Sequence, residues 1–98
     1  MNDKELADKC VALGVLTTYD TEFYRFPAEG WCDEARIVVR DWQVAGAMME
    51  KCQKVYAEYI GEPEQAVYAR AENNRTWEWV HEASLPRAII EACVEAQS

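Results

Sequence analysis

Apolar residues recur at helical spacing in three stretches of the chain and at strand spacing in three more. Leu6, Cys10 and Leu13 stand at i, i+4 and i+7, with Ala7 and Val11 widening the stripe, which predicts a first helix over residues 2–14. Asn2 or Asp3 suits its N-cap, Glu5 stands where a capping box closes on Asn2, and Gly14 is a natural stop. Trp42, Ala45, Met49 and Cys52, extended by Val38 and Tyr56, predict a second helix over residues 41–54. An earlier start at Asp33 meets Ile37-Val38-Val39, whose β-branched side chains disfavour helix. Gly46 inside this helix costs about 1 kcal/mol and suggests a close approach by a neighbouring sheet. Leu85, Ile89, Ala92, Cys93 and Ala96 form the stripe of a last helix, which opens at Ser84 or Leu85 with Pro86 in its first turn.

Between the second and last helices the period shortens to two. Residues 66–71 (AVYARA) and 76–81 (TWEWVH) read as strands joined as a hairpin, and 55–60 (VYAEYI) as a first strand or the frayed end of the preceding helix. Asn73 and Asn74 tolerate the positive φ that a tight hairpin turn demands. Trp77, Trp79 and His81 share one face of the last strand, and Glu78, Val80 and Glu82 share the other. Both faces carry apolar residues, which suits a sheet with helices on either side. Residues 15–30 show no clear period and read as a loop, its aromatics Tyr19, Phe23, Tyr24 and Phe26 either covering one end of the core or forming a contact surface. The fold expected is α+β: a three-layer α/β/α sandwich with three helices and a small, mostly antiparallel three-stranded sheet, in one domain over residues 1–98.

Composition narrows the possible functions. Eleven of the 98 residues are aromatic, four of them Trp, which argues against disorder. The net charge of −8 opposes direct nucleic-acid binding, which draws its affinity from Lys and Arg displacing counterions. An acidic surface either keeps a small protein soluble or docks onto a basic partner. The polar start, MNDKELADKC, holds no signal-peptide core, and no stretch is long enough to span a bilayer, so the expected place is the cytoplasm. Cys10, Cys32, Cys52 and Cys93 lack CxxC spacing and read as free thiols.

The order of helix, aromatic segment, helix, strand meander and closing helix resembles the phage ABA sandwich domain. The matching stretches are the helix ending near Leu13-Gly14, the DWQVAGAMMEK helix from Asp41, and the SLPRAIIEACVEA helix from Ser84. The pattern departs before Asp41, where Val39-Arg40 replaces a capping Ser-Thr pair. The resemblance implies a phage or prophage gene product. It implies no activity and no catalytic residues.

The reactive side chains form no recognisable motif. His81 is the single histidine, with Glu78, Glu82 and Cys93 near it in sequence, but nothing supplies the geometry of a nucleophilic pair. Asp33-Glu34 and Glu62-x-Glu64 are carboxylate pairs of the kind eighteen acids produce by chance. Phosphate loops, HExxH and EF-hand spacing are missing from the sequence. No catalytic, cofactor-binding or metal residue is expected. Among Tyr24, Phe26, Trp31, Trp77 and Trp79, Trp31 is the best contact candidate, set in a loop beside Gly30 and flanked by acids. The expected interaction residues are Tyr24, Trp31, Asp33, Glu34, Glu78 and Glu82. The function expected is non-enzymatic contact with a host or phage protein bearing a basic surface, including inhibition of a defence or nucleic-acid-processing complex. The alternative is a small-molecule binding or sequestering protein, with Arg70, Arg75 or His81 converging on the ligand. A homo-oligomer is open through an unpaired sheet edge or the loop aromatics.

Overall fold

The computed structural model of the chain describes residues 1–61, 64–71, 74–80 and 84–97, and through 57–66, 74–75 and 77–80 only their backbone. Helix α1 (Asp3–Ala12) is followed by strands β1 (Thr17–Thr18), β2 (Phe23–Phe26) and β3 (Trp31–Glu34). Helices α2 (Ala35–Val38) and α3 (Trp42–Met49) come next, then strands β4 (Lys54–Gly61), β5 (Glu64–Ala71) and β6 (Asn74–Val80), and finally helix α4 (Leu85–Ala96). The strands form two antiparallel sheets, β1-β2-β3 and β4-β5-β6, each in sequence order. The fold is α+β as expected, with four helices among the described residues rather than three. No described helix is long and apolar enough to cross a membrane.

The first helix forms for the reasons its sequence offers. Asn2 Oδ1 accepts from the Glu5 amide at 2.8 Å, and Asn2 Nδ2 donates to Glu5 Oε1 at 2.8 Å, so each residue satisfies the other. At the far end Gly14 takes a φ of +82°, and the Gly14 and Val15 amides bond back to Val11 and Cys10.

Residues 15–30 are not a loop. They hold β1 and β2, which pair with β3 in a small hairpin sheet. In β2, buried Tyr24 and Phe26 flank exposed Arg25, a strand alternation only three residues long. The turn before β2 is held by Asp20 Oδ1, which accepts from the Glu22 and Phe23 amides at 2.8 and 2.9 Å. The turn after it closes with the Gly30 amide donating to the Phe26 carbonyl at 2.7 Å, at a Gly30 φ of +82°.

The β-branched run also differs from expectation. Ile37 and Val38 lie in the short helix α2, and the complete burial of Val38 and Val39 outweighs their weak helix preference. The chain then turns at Arg40-Asp41, and α3 starts afresh with Asp41 Oδ1 accepting from the Gln43 and Val44 amides. That break resets the phase of the stripe. Val44, Ala45 and Met48 face the core, while Trp42 is 58% exposed. The helix also ends at Met49 rather than running to 54. Among the described residues a Cβ at Gly46 would meet nothing within 4 Å, so the close approach expected there is not seen.

Helix α4 sits at the centre. One side packs on β5 and β6, and the other on α3 and α1. Sheet β4-β5-β6 sends Val67 and Ala69 inward, both fully buried, and Thr76 Oγ1 donates to Glu95 Oε2 on α4 at 3.2 Å. The Ile90 side chain is fully buried in α4. Ile90→Ala is expected to lower unfolding free energy by about 2–5 kcal/mol in urea titration, through lost transfer energy and the cavity left behind.

Candidate functional site

Sheet β1-β2-β3 determines where the expected contact residues stand. Its register places Tyr24 opposite Asp33 and Phe26 opposite Trp31, so these four share one face. Tyr24 is only 2% exposed, so it is a core ring with a polar tip and not an exposed contact. Its hydroxyl donates to Asp8 Oδ1 at 2.5 Å and accepts from Lys4 Nζ at 3.3 Å, both on α1. Burial raises the Tyr24 pKa, and the Asp8 hydrogen bond adds to the rise.

Trp31 is half-buried. Its ring packs on Phe26 with centroids 5.4 Å apart, and its Nε1 donates to Gln43 Oε1 at 2.8 Å. That bond ties β3 to the first turn of α3, beside the exposed Trp42. Ile37, 38% exposed, stands on α2 just before the same corner. Asp33 is half-buried, and its Oδ1 accepts from the Glu34 amide. The Glu34 carboxylate pairs with Arg36 Nε at 2.8 Å. Trp31, Asp33 and Glu34 therefore cluster at the β3–α2–α3 corner. Glu78 takes its place in β6 opposite Val67, and Glu82 lies outside the described residues with His81 and Glu62. Trp42 and Ile37 were missed because helical counting put Trp42 on the buried stripe and left Ile37 among residues expected to avoid helix. The signal available was Asp41, whose N-cap role sets a new phase for α3.

Open grooves run along the described surface. One, of about 390 Å³, runs past Tyr24 between Lys4, Thr21, Glu22 and Glu34. Lys4 pairs with Asp8, and Glu34 with Arg36, so most of its charges already have partners. Among the described residues no group of three His, Cys, Asp or Glu side chains is placed to hold a metal. Arg70 and Arg75, two of the arginines expected to converge on a ligand, are cross-strand partners. The four thiols are free, with Cys32 exposed and Cys10 and Cys93 buried. Comparison with known protein families, curated proteins and solved structures gives no match to this chain.

A second charged group lies where α1, α2 and α4 meet. Asp3 accepts from Arg87 Nε at 2.8 Å and from Arg40 Nη1 at 2.9 Å. Burial pushes the Asp3 pKa up, but the two guanidinium groups more than offset it, and the net shift is downward. The stabilisation this gives is complete above the ordinary carboxylate pKa of about 3.9 and is lost as pH falls through the lower folded value. Stability measured by thermal melting is expected to fall on acidification below that range, with the Asp3→Asn variant showing a shallower fall. Thiol labelling provides a separate check. Burial pushes the Cys10 pKa up to about 12, and burial followed by the neighbouring Cys52 raises that of Cys93. Native protein is expected to label fast at Cys32, while Cys10 and Cys93 react only on unfolding, as read by mass spectrometry.

Proposed function

We propose that this chain is a non-enzymatic accessory module of the phage ABA sandwich type. It acts in the host cytoplasm by docking an acidic, aromatic corner onto a basic partner protein. A bacterial defence or nucleic-acid-processing complex is the target class that fits a phage or prophage origin. The observation that carries the reading is Trp42, a large ring 58% exposed at the first position of α3, next to Asp41 and beside the Trp31–Gln43 bond. Exposed tryptophans serve as anchors at interfaces, and the nearby carboxylates of Asp33, Glu34 and Asp41 would steer a basic surface toward that anchor. Within the same reading, the three-layer α/β/α arrangement has α4 on one face of β4-β5-β6, and the opposite face is the one still to be covered.

The test is capture of partners from bacterial lysate at low and at high salt, with Trp42→Ala and the double variant Asp33→Lys, Glu34→Lys alongside. A basic protein is expected to be retained stoichiometrically at low salt and released at high salt. Trp42→Ala is expected to weaken its binding by about tenfold or more, the scale of an interface anchor, without lowering the melting temperature. Equal retention by all three proteins would sink the reading.

A further inference from the structure

Three of the four thiols gather around α4. Cys93 lies on the helix itself, fully buried in the core. Cys10 on α1 is equally buried and is close enough to act on Cys93 by charge. Cys52 stands in the short turn between α3 and β4, half-buried, with its side chain against the same core. The fourth, Cys32, is exposed on β3.

Two contacts bring Cys52 and Cys93 together. The Gln97 amide spans the pair from the end of α4: its Nε2 donates to Cys52 Sγ at 3.8 Å and to the Cys93 carbonyl at 3.4 Å. The Cys93 thiol is also hydrogen-bonded to that of Cys52. Burial raises the Cys93 pKa, and Cys52 adds to the rise, so the Cys93 S–H is the donor in that bond. The Cys52 backbone is held as well. Its amide donates to the Met49 carbonyl at 3.0 Å, and the next amide, of Gln53, donates to the Arg70 carbonyl on β5 at 2.8 Å. The two sulfurs therefore meet from backbones fixed by different elements, α4 for one and the α3–β4 turn for the other. A disulfide forms without strain only between backbones that already stand close.

We propose that Cys52 and Cys93 are a peroxide-responsive pair that closes a disulfide and locks α4 to the α3–β4 turn. Their unequal burial assigns the order of events. Half-buried Cys52 meets hydrogen peroxide first. Its sulfur attacks the O–O bond and keeps one oxygen as a sulfenic acid, while the other oxygen leaves as water with the thiol proton. Buried Cys93 is the resolving thiol. Its sulfur attacks the sulfenic sulfur, the S–O bond breaks, and the departing hydroxyl takes the Cys93 proton as a second water. The two thiols together lose two electrons, and one peroxide is reduced to two waters. Burial keeps Cys93 protonated and closed to reagents in solution, which confines its chemistry to the sulfur beside it. The bridge ties the central helix to the first half of the chain and limits the freedom of the unfolded state. It lies at the end of α3 opposite Trp42, so it is independent of the docking corner.

The experiment treats the full chain carrying Cys32→Ser with hydrogen peroxide and maps its thiols by peptide mass spectrometry. Removing the exposed thiol prevents bridges between chains through it. The expected product is a chain about 2 Da lighter, with the Cys52 and Cys93 peptides joined until a reductant separates them. Its melting temperature is expected to rise by about 10 °C and to return on reduction. Two variants in the same background test the order. In Cys93→Ser the sulfenic acid has no resolving thiol and is expected to be captured at Cys52 by dimedone. Cys52→Ser, a change at a half-buried site, is expected to leave Cys93 a thiol after the same treatment. A bridge from Cys10 to Cys93 would overturn the proposal, as would Cys52 passing to sulfinic acid beside a free Cys93. So would three thiols left unchanged by peroxide, or a Cys52–Cys93 bridge that leaves the melting temperature where it was.

Discussion

The burial of α4 from both sides is the constraint on which the fold depends. Pro86, Ala88, Ile89, Ile90, Ala92, Cys93, Val94 and Ala96 are all buried, which leaves Arg87, Glu91 and Glu95 as a narrow polar stripe. A helix with so wide an apolar face is stable only when that face is covered from more than one side. Ala88, Ala92 and Ala96 repeat every four residues and keep one side of it thin, which lets neighbouring elements approach closely. From the N-terminal half α3 and α1 pack on α4, and sheet β4-β5-β6 packs on it through β5 and β6, with little contact between the two halves themselves. The helix is thus the joint between two halves, neither of which closes a core alone.

Charge fixes the angle of that joint. Arg87 on α4 donates to Asp3 Oδ1 at 2.8 Å, to Glu91 Oε2 at 2.8 Å and to the Met1 carbonyl at 2.7 Å, while Arg40 reaches Asp3 from the end of α2. Hydrophobic contact is non-directional and would allow α1 to slide along α4. The fork of a guanidinium specifies both distance and orientation. Because these groups are only partly buried, their contribution is better understood as register than as a large share of the stability.

How much of this was readable follows from length and locality. The helices α1 and α4 and the meander β4-β5-β6 repeat their patterns over seven or more residues, so sequence periodicity finds them. The strands β1, β2 and β3 are two to four residues long and leave too short a trace, and their best clues, Asp20 and Gly30, are turn residues that need a partner strand to make sense. The α3 stripe was misphased because counting ran through the Arg40-Asp41 corner. At the candidate site, Trp31 was legible as a tryptophan beside a glycine. Tyr24 was not, because its hydroxyl partners Asp8 and Lys4 come from another helix. Trp42 was missed for the same reason as the α3 phase.

The position of α4 in the chain has a consequence for synthesis. The helix that every other layer needs follows all of them in sequence, and its Arg87 bonds to Asp3 across 84 positions. As the chain leaves the ribosome, the apolar faces of α1, α3 and β5 emerge before the element that covers them. Folding on the ribosome can therefore build local hairpins and helices but no core. The nascent chain depends on its acidic surface, or on a chaperone, to stay apart from its neighbours until the final helix is free to insert.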